Sequence, residues 1–285
     1  GFSTFEGKTY FIRSLSKTTE QDTGENLARC LTEEMTRAAH NHNEDIQKIF
    51  AGIVMDNCST NRKAAAIIRE KYPRLLCVGC FPHKLSLLAK DLAQYKCFEE
   101  TVKQTKFVYD FVRNHQRVKA QYLTYPDATK LRSFSETRFC HVALLMASIV
   151  KNKNQLMQLA SDLHKVNKPT TKEEKEKHKK IIELMEDNSF WSKVESLNLL
   201  FSYVLEACTV SESEYMGARH VHLVCEALED CISSWKTRTF TKATWTSEQI
   251  EGVSKIVALR RGEGETTKVQ LEETVHLVAH LLNPY

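Results

Sequence analysis

The chain has 285 residues, 42% of them apolar and 27% charged, a balance that argues against disorder over most of the length and leaves room for one large domain or two ordinary ones. No apolar run reaches the roughly 18 residues of a membrane span, and the first segment lacks the apolar stretch of a signal peptide, so neither a spanning nor a secreted chain is expected. A net charge of +4 and a pI near 8.5 are mildly basic, which gives only weak support for a polyanionic partner.

The nine cysteines are irregularly spaced and are expected to be reduced core thiols rather than a disulfide framework. Five prolines and nine glycines argue against a β-sandwich and for long helices. The chain opens on Gly1 within a strand-like segment, and a fragment of a longer protein is expected.

In chain order, Gly7-Lys8 reads as a turn, and Thr9 to Leu15 alternates as a strand. Asp22 or Thr23 caps a helix through about Ala39, with Leu27, Cys30, Leu31, Met35 and Ala38 as its buried stripe. The stretch from Ile49 to Asp91 then organises the rest. Phe50 to Met55 is an apolar run of the kind a buried parallel strand needs, ending on Asp56. A helix follows from Arg62 to Tyr72, stopped by Pro73. Leu75 to Val78 is a second strand, Gly79 turns the chain, and Pro82 opens a helical segment with Leu85, Leu88, Ala89 and Leu92 on one face. Strand and helix alternate here as in an α/β layer with a mainly parallel sheet.

Beyond Asp91 the pattern is helical: Phe98 to His115, Gln116 to Leu123, and an apolar helix from Ser135 to about Leu163. Lys165 to Lys180 is a charge-dense hinge running into a helix, with Thr171 and Glu174 spaced as a capping box. Ile181 to Ala207, as one long helix or a helix pair, then Met216 to Trp235, Trp245 to Leu259 and Val269 to Leu282 complete the series. The fold class is therefore α/β plus all-α, divided as 1–135 and 136–285.

Asp56 is the leading candidate for chemistry. A carboxylate at the carboxyl end of a strand suits a hard cation such as Mg2+ or Mn2+; the competing reading is a cap for the helix that begins near Ser59. Cys77, Cys80 and His83 form C-x2-C-x2-H, with zinc-ligand chemistry but no second pair nearby, so zinc is not expected and packing at a strand-to-helix junction is the alternative. Arg138 and Phe139 combine a phosphate-pairing guanidinium with an aromatic that can stack on a base, against the plainer reading of a surface Arg and a core Phe. Arg113, Arg117, Lys119, Lys130, Arg132 and Arg138 come from neighbouring segments and are able to line one face along a phosphate backbone, with Tyr109, Tyr122 and Tyr125 interleaved for stacking; scattered solvated charges are the alternative. No nucleophile elbow, P-loop or dinucleotide fingerprint is present.

Several stretches, in order, resemble the hAT family of DNA transposases. GKTYFIRSLSKTTEQDTGENL is similar to its strand and following helix. VMDNCSTNRKAAAIIREKYPRLLCVGCFPHKLSLLAKDL is similar to its Thr-Asp-Asn-Ala-Ser-Asn segment and Cys-x-x-His motif. SETRFCHVALLMASIV is similar to its Thr-Arg-Trp segment, and DNSFWSKVESLNLLFSYVLEAC and HLVAHLLNPY to later helical stretches.

The resemblance implies a partial RNase H-like layer interrupted by a helical insertion domain, metal-dependent DNA cleavage and strand transfer with Mg2+ or Mn2+, and a nuclear location. It makes Asp56 the second acid of an Asp-Asp-Glu set. It also makes Cys80 and His83 the motif beside the active site, and Arg138 and Phe139 the pair that holds a flipped base. Phe139 replaces the family's Trp. The first acid has no counterpart here, and Glu272 and Glu273 are not assigned as the third. One carboxylate does not build a two-metal site, so this chain alone is expected to be inactive, at most binding DNA. Oligomerisation is expected to need segments outside this sequence. The alternative is a non-catalytic protein-interaction scaffold derived from a transposase, acting through surfaces around Trp191 or Trp235.

Overall fold

Thr23 sets the start of the first long helix. In the computed structural model, which describes residues 2–3, 9–10, 23–132, 140–213, 218–262 and 271, its hydroxyl accepts from the Asn26 amide at 3.2 Å, and α1 runs Gly24–His40. Such a cap is worth about 1 kcal/mol. Two compact units are present: residues 1–84, 210–223 and 267–285 in one, and 85–209 and 224–266 in the other. The sequence reading divided the chain at 135.

The first unit opens with β1 (Phe2–Ser3) and β2 (Thr9–Tyr10), an antiparallel pair; the remainder of the expected strand to Leu15 lies outside the described residues. A short α2 (Ile46–Ile49), capped by Asp45, leads to β3 (Gly52–Met55), α3 (Ser59–Lys71), β4 (Leu76–Gly79) and the start of α4 (Phe81–Ala93). β3 and β4 are parallel, with Gly52 opposite Leu76 and Met55 opposite Gly79, as a strand–helix–strand crossover requires. α1 packs on α3 through Ala28, Met35, Ala39, Ala64, Ala65 and Ile68, and small residues let the two backbones approach. At Gly24 the approach is closest: an added Cβ would lie 2.6 Å from the Lys63 Cβ.

The parallel pair corrects the expectation of a fully buried strand. Ile53 and Cys77 pair and face the helices, whereas Val54 is 67% and Leu76 50% exposed on the opposite face. Among the described residues the sheet is thus covered on one side only, unlike most parallel sheets. The fold is mixed α/β in this unit and all-helical in the other.

The helical unit contains most of α4, then α5 (Lys96–Asn114), α6 (Gln116–Tyr122), α7 (His141–Lys151), α8 (Lys153–Val166), α9 (Lys172–Glu186) and α10 (Asn188–Ser211) up to Thr209. It continues with α11 (Ala218–Thr237) from Val224 onward, α12 (Thr239–Thr244) and α13 (Ser247–Arg261). The single apolar helix expected through Leu163 is two helices, broken at Asn152. The helix expected over Val269 to Leu282 lies outside the described residues.

Trp191 and Trp235 are core residues at 2% and 0% exposure, which removes them as partner surfaces. Trp191 donates its indole N–H to the Met185 carbonyl and Trp235 to the Ser196 carbonyl, both at 2.9 Å, while Trp245 donates to the Ser196 hydroxyl at 2.9 Å. Each ring thereby buries its apolar body with its polar atom satisfied. Arg260, 5% exposed, closes the core against Asp91 with two contacts of 2.8 Å. The capping box forms as its spacing predicts, and the backbone and hydroxyl donors of Thr170 and Thr171 hold the Glu174 carboxyl down to about 2.

Candidate nucleic-acid interface

Two places carry the residues singled out from the sequence. The first is the carboxyl end of β3 and β4. Asp56 follows β3 directly and is exposed. Its carboxylate is not the helix cap, because the cap position of α3 is Cys58; the Asn61 side chain instead donates to the Asp56 backbone carbonyl at 3.1 Å. Asn57, 9% exposed, donates to the Cys80 carbonyl at 3.0 Å, and the Cys80 amide donates to the Met55 carbonyl at 2.7 Å, so the two strand ends are tied together.

Gly79 is required there. An added Cβ would meet the Asn57 side-chain oxygen at 1.9 Å and the Lys84 Cε at 2.9 Å. Burial pushes the Cys80 thiol up, against the His83 backbone N–H that donates to its sulfur; the charges of Asp56 and Glu212 push it further up and that of Lys84 draws it down. Cys80 and His83 therefore sit beside Asp56 at a strand-to-helix junction. Lys84, 1% exposed, is a buried cation of this junction that periodicity did not single out. Its signal was a Lys on the otherwise apolar face of a helix that continues with Leu85, Leu88 and Leu92.

The C-x2-C-x2-H set does not converge. Cys77 is buried within β4, with its sulfur 3.9 Å from the Leu75 carbonyl. Among the described residues no group of three or more His, Cys, Asp or Glu side chains is arranged to hold a metal ion. Asp56 would supply one hard oxygen, and among the described residues it belongs to no such group.

The second place is a groove of about 1170 Å³ in the helical unit. Arg113 comes from α5, Lys119 from α6, Lys130 and Arg132 from the segment after α6, and His141 and Lys151 from α7. Among the described residues that line it, no side chain is acidic. The sequence reading had grouped Arg113, Lys119, Lys130 and Arg132, and the fold brings these four together. Arg117 is exposed outside the lining, and Arg138 and Phe139 fall outside the described residues.

His141 and Lys151 were missed. Their signal was the spacing His141, Leu144, Ala147, Ser148 and Lys151, one face of a helix on which every member lines the groove.

The segment bearing Lys130 and Arg132 is irregular yet fixed. Asn152, fully buried where α7 gives way to α8, accepts from the Thr129 amide at 2.8 Å and donates to the Thr129 hydroxyl at 3.0 Å and the Ser148 carbonyl at 2.7 Å. Tyr122 donates its hydroxyl to the Thr129 carbonyl at 2.6 Å, and the Arg132 amide donates to the Ser148 hydroxyl at 3.1 Å. Lys130 thus lies between the anchored Thr129 and the anchored Arg132 amide, which reduces the ordering cost of binding.

The tyrosines do not serve as stacking platforms. Tyr109, Tyr122 and Tyr125 are 6%, 1% and 7% exposed, and burial pushes the Tyr122 and Tyr125 hydroxyls up. The groove therefore offers charge, with Leu123 and Leu144 as its partly exposed apolar contacts.

No family model, curated protein or solved structure matches the chain. Among the described residues no helix is long and apolar enough to cross a membrane.

Proposed function

We propose that the chain is a hAT-like transposase core, a fragment or catalytically inactive derivative, whose remaining activity is DNA binding through the groove of the helical unit. The observation that carries the binding is the convergence of Arg113, Lys119, Lys130, Arg132 and Lys151, all exposed, on one concave surface with no lining carboxylate among the described residues. Phosphate oxygens spaced along a duplex or single strand suit such a surface, and counterion release supplies most of the affinity. With the tyrosines buried, the groove reads backbone charge rather than base identity.

The RNase H-like reading of β3, α3 and β4 rests on the resemblance and on the position of Asp56 at a strand end. In an intact relative that site would use Mg2+ or Mn2+ to activate water and stabilise the leaving oxygen. For this chain the proposal is binding alone: among the described residues Asp56 belongs to no group of three or more side chains able to hold a metal ion. A nuclear location follows from the same reading.

Fluorescence anisotropy with a labelled duplex of about 20 base pairs tests the proposal. With five cations engaged, log K is expected to fall against log salt with a slope of roughly −3 to −5. A supercoiled plasmid incubated with Mg2+ or Mn2+ is expected to remain uncut. Affinity that is absent at low salt would favour the protein-scaffold alternative, whose surface would then be the exposed Val54 and Leu76 face.

A further inference from the structure

We propose that Cys140 and Cys208 are a redox-convertible pair, a modification site that a peroxide turns into an intramolecular disulfide. The inference does not depend on the DNA-binding reading. The two sulfurs lie 2.9 Å apart, and both residues are 2% exposed thiols not joined by a disulfide. A disulfide needs a sulfur separation of about 2.05 Å, so closure requires a movement of under about 1 Å shared between two side chains.

The local backbone explains why the sulfurs meet. Cys140 holds the cap position of α7 in the left-handed region, at φ 51°, and its carbonyl accepts from the Ala143 amide at 2.9 Å. A non-glycine residue in that region is held there by its surroundings. Cys208 lies near the end of α10, 68 residues away in sequence. The pairing is therefore a tertiary contact that spacing in the sequence does not reveal.

The chemistry balances with a peroxide as the sole co-reactant. One sulfur, as thiolate, attacks a peroxide oxygen; the O–O bond breaks, a sulfenic acid forms and hydroxide leaves to take a proton. The second thiol loses its proton and attacks the sulfenic sulfur, the S–S bond forms, and the hydroxyl departs as water. Two thiols and one hydrogen peroxide give one disulfide and two waters. Burial admits a small oxidant on local opening and leaves the bulkier mixed disulfides excluded, and in a reducing compartment the bond would be transient.

The test uses the whole chain, prepared reduced. Hydrogen peroxide is added in increments, remaining thiols are alkylated under denaturing conditions, and unreduced peptides are identified by mass spectrometry. The expected result is a Cys140–Cys208 cross-linked peptide, formed with loss of two alkylatable thiols and reversed by dithiothreitol. The oxidised chain is expected to melt higher by roughly 5 °C or more, because the bond closes a long loop. Cys208→Ala, checked for folding by circular dichroism, should abolish both changes. If Cys140 and Cys208 remain fully alkylatable when the exposed Cys58 is already oxidised, or if the linked chain melts no higher, the proposal is overturned.

Discussion

The strand-end site of the α/β unit and the groove of the helical unit reverse their sequence ranking. Asp56 sits where an α/β layer places its chemistry, yet its carboxylate is exposed at a junction built by Asn57, Gly79 and Lys84 for strand closure. The groove residues were individually unremarkable surface cations, and the fold converges them. A site that needs several exact partners loses its chemistry when partners are missing. A site that needs only charge density is assembled by any packing that brings exposed cations to one surface.

The largest expected effect tests what fixes the groove. Asn152→Ala leaves the Thr129 amide without its buried partner and should cost about 2–3 kcal/mol in urea denaturation. DNA affinity should fall with it, because Lys130 and Arg132 lose their anchored backbone. Stability lost with affinity intact would show that the segment need not be fixed to bind.

Next is the charge itself. Lys130→Ala with Arg132→Ala should weaken duplex binding roughly tenfold near 0.1 M salt and reduce the salt slope by about two. Both residues are exposed, so the melting temperature should barely move. A smaller effect separates the two regions: Asn57→Ala should cost about 1–2 kcal/mol by untying β3 from β4, with the salt slope of DNA binding unchanged. A changed slope would show that the two regions are not independent in binding.

The legible part of the fold was the part fixed locally. Thr23 and the Thr171–Glu174 box marked helix starts because caps are set by neighbouring residues, and Pro73 marked the end of α3. Asn152 as a helix break was hidden, since its role depends on Thr129, which is distant in sequence. The apolar character of Val54 and Leu76 signalled burial that the described fold does not give them. At the groove the cations of adjacent segments were legible, whereas His141 and Lys151 required knowing which face of α7 turns toward them.

The smallest effect is with pH, and it belongs to the helical unit. Glu174 has its folded value below the ordinary carboxylate range, at about 2. Its contribution is present above that range and fades as pH falls from about 4.5 toward 2. His178, drawn down by burial and by the nearby His115, is favoured neutral, so its contribution is present above about 6.5 and declines as pH falls below it. Melting temperature should therefore decrease in two acid steps, with His178→Gln removing the upper one.

The most direct test of the central claim is the salt dependence of duplex affinity for the native chain beside a Lys130→Ala, Arg132→Ala, Lys151→Ala chain. The account predicts a slope of roughly −3 to −5 for the native chain, shallower by about three in the variant, with both folded to the same melting temperature. Equal slopes for the two would contradict the assignment of DNA binding to this groove.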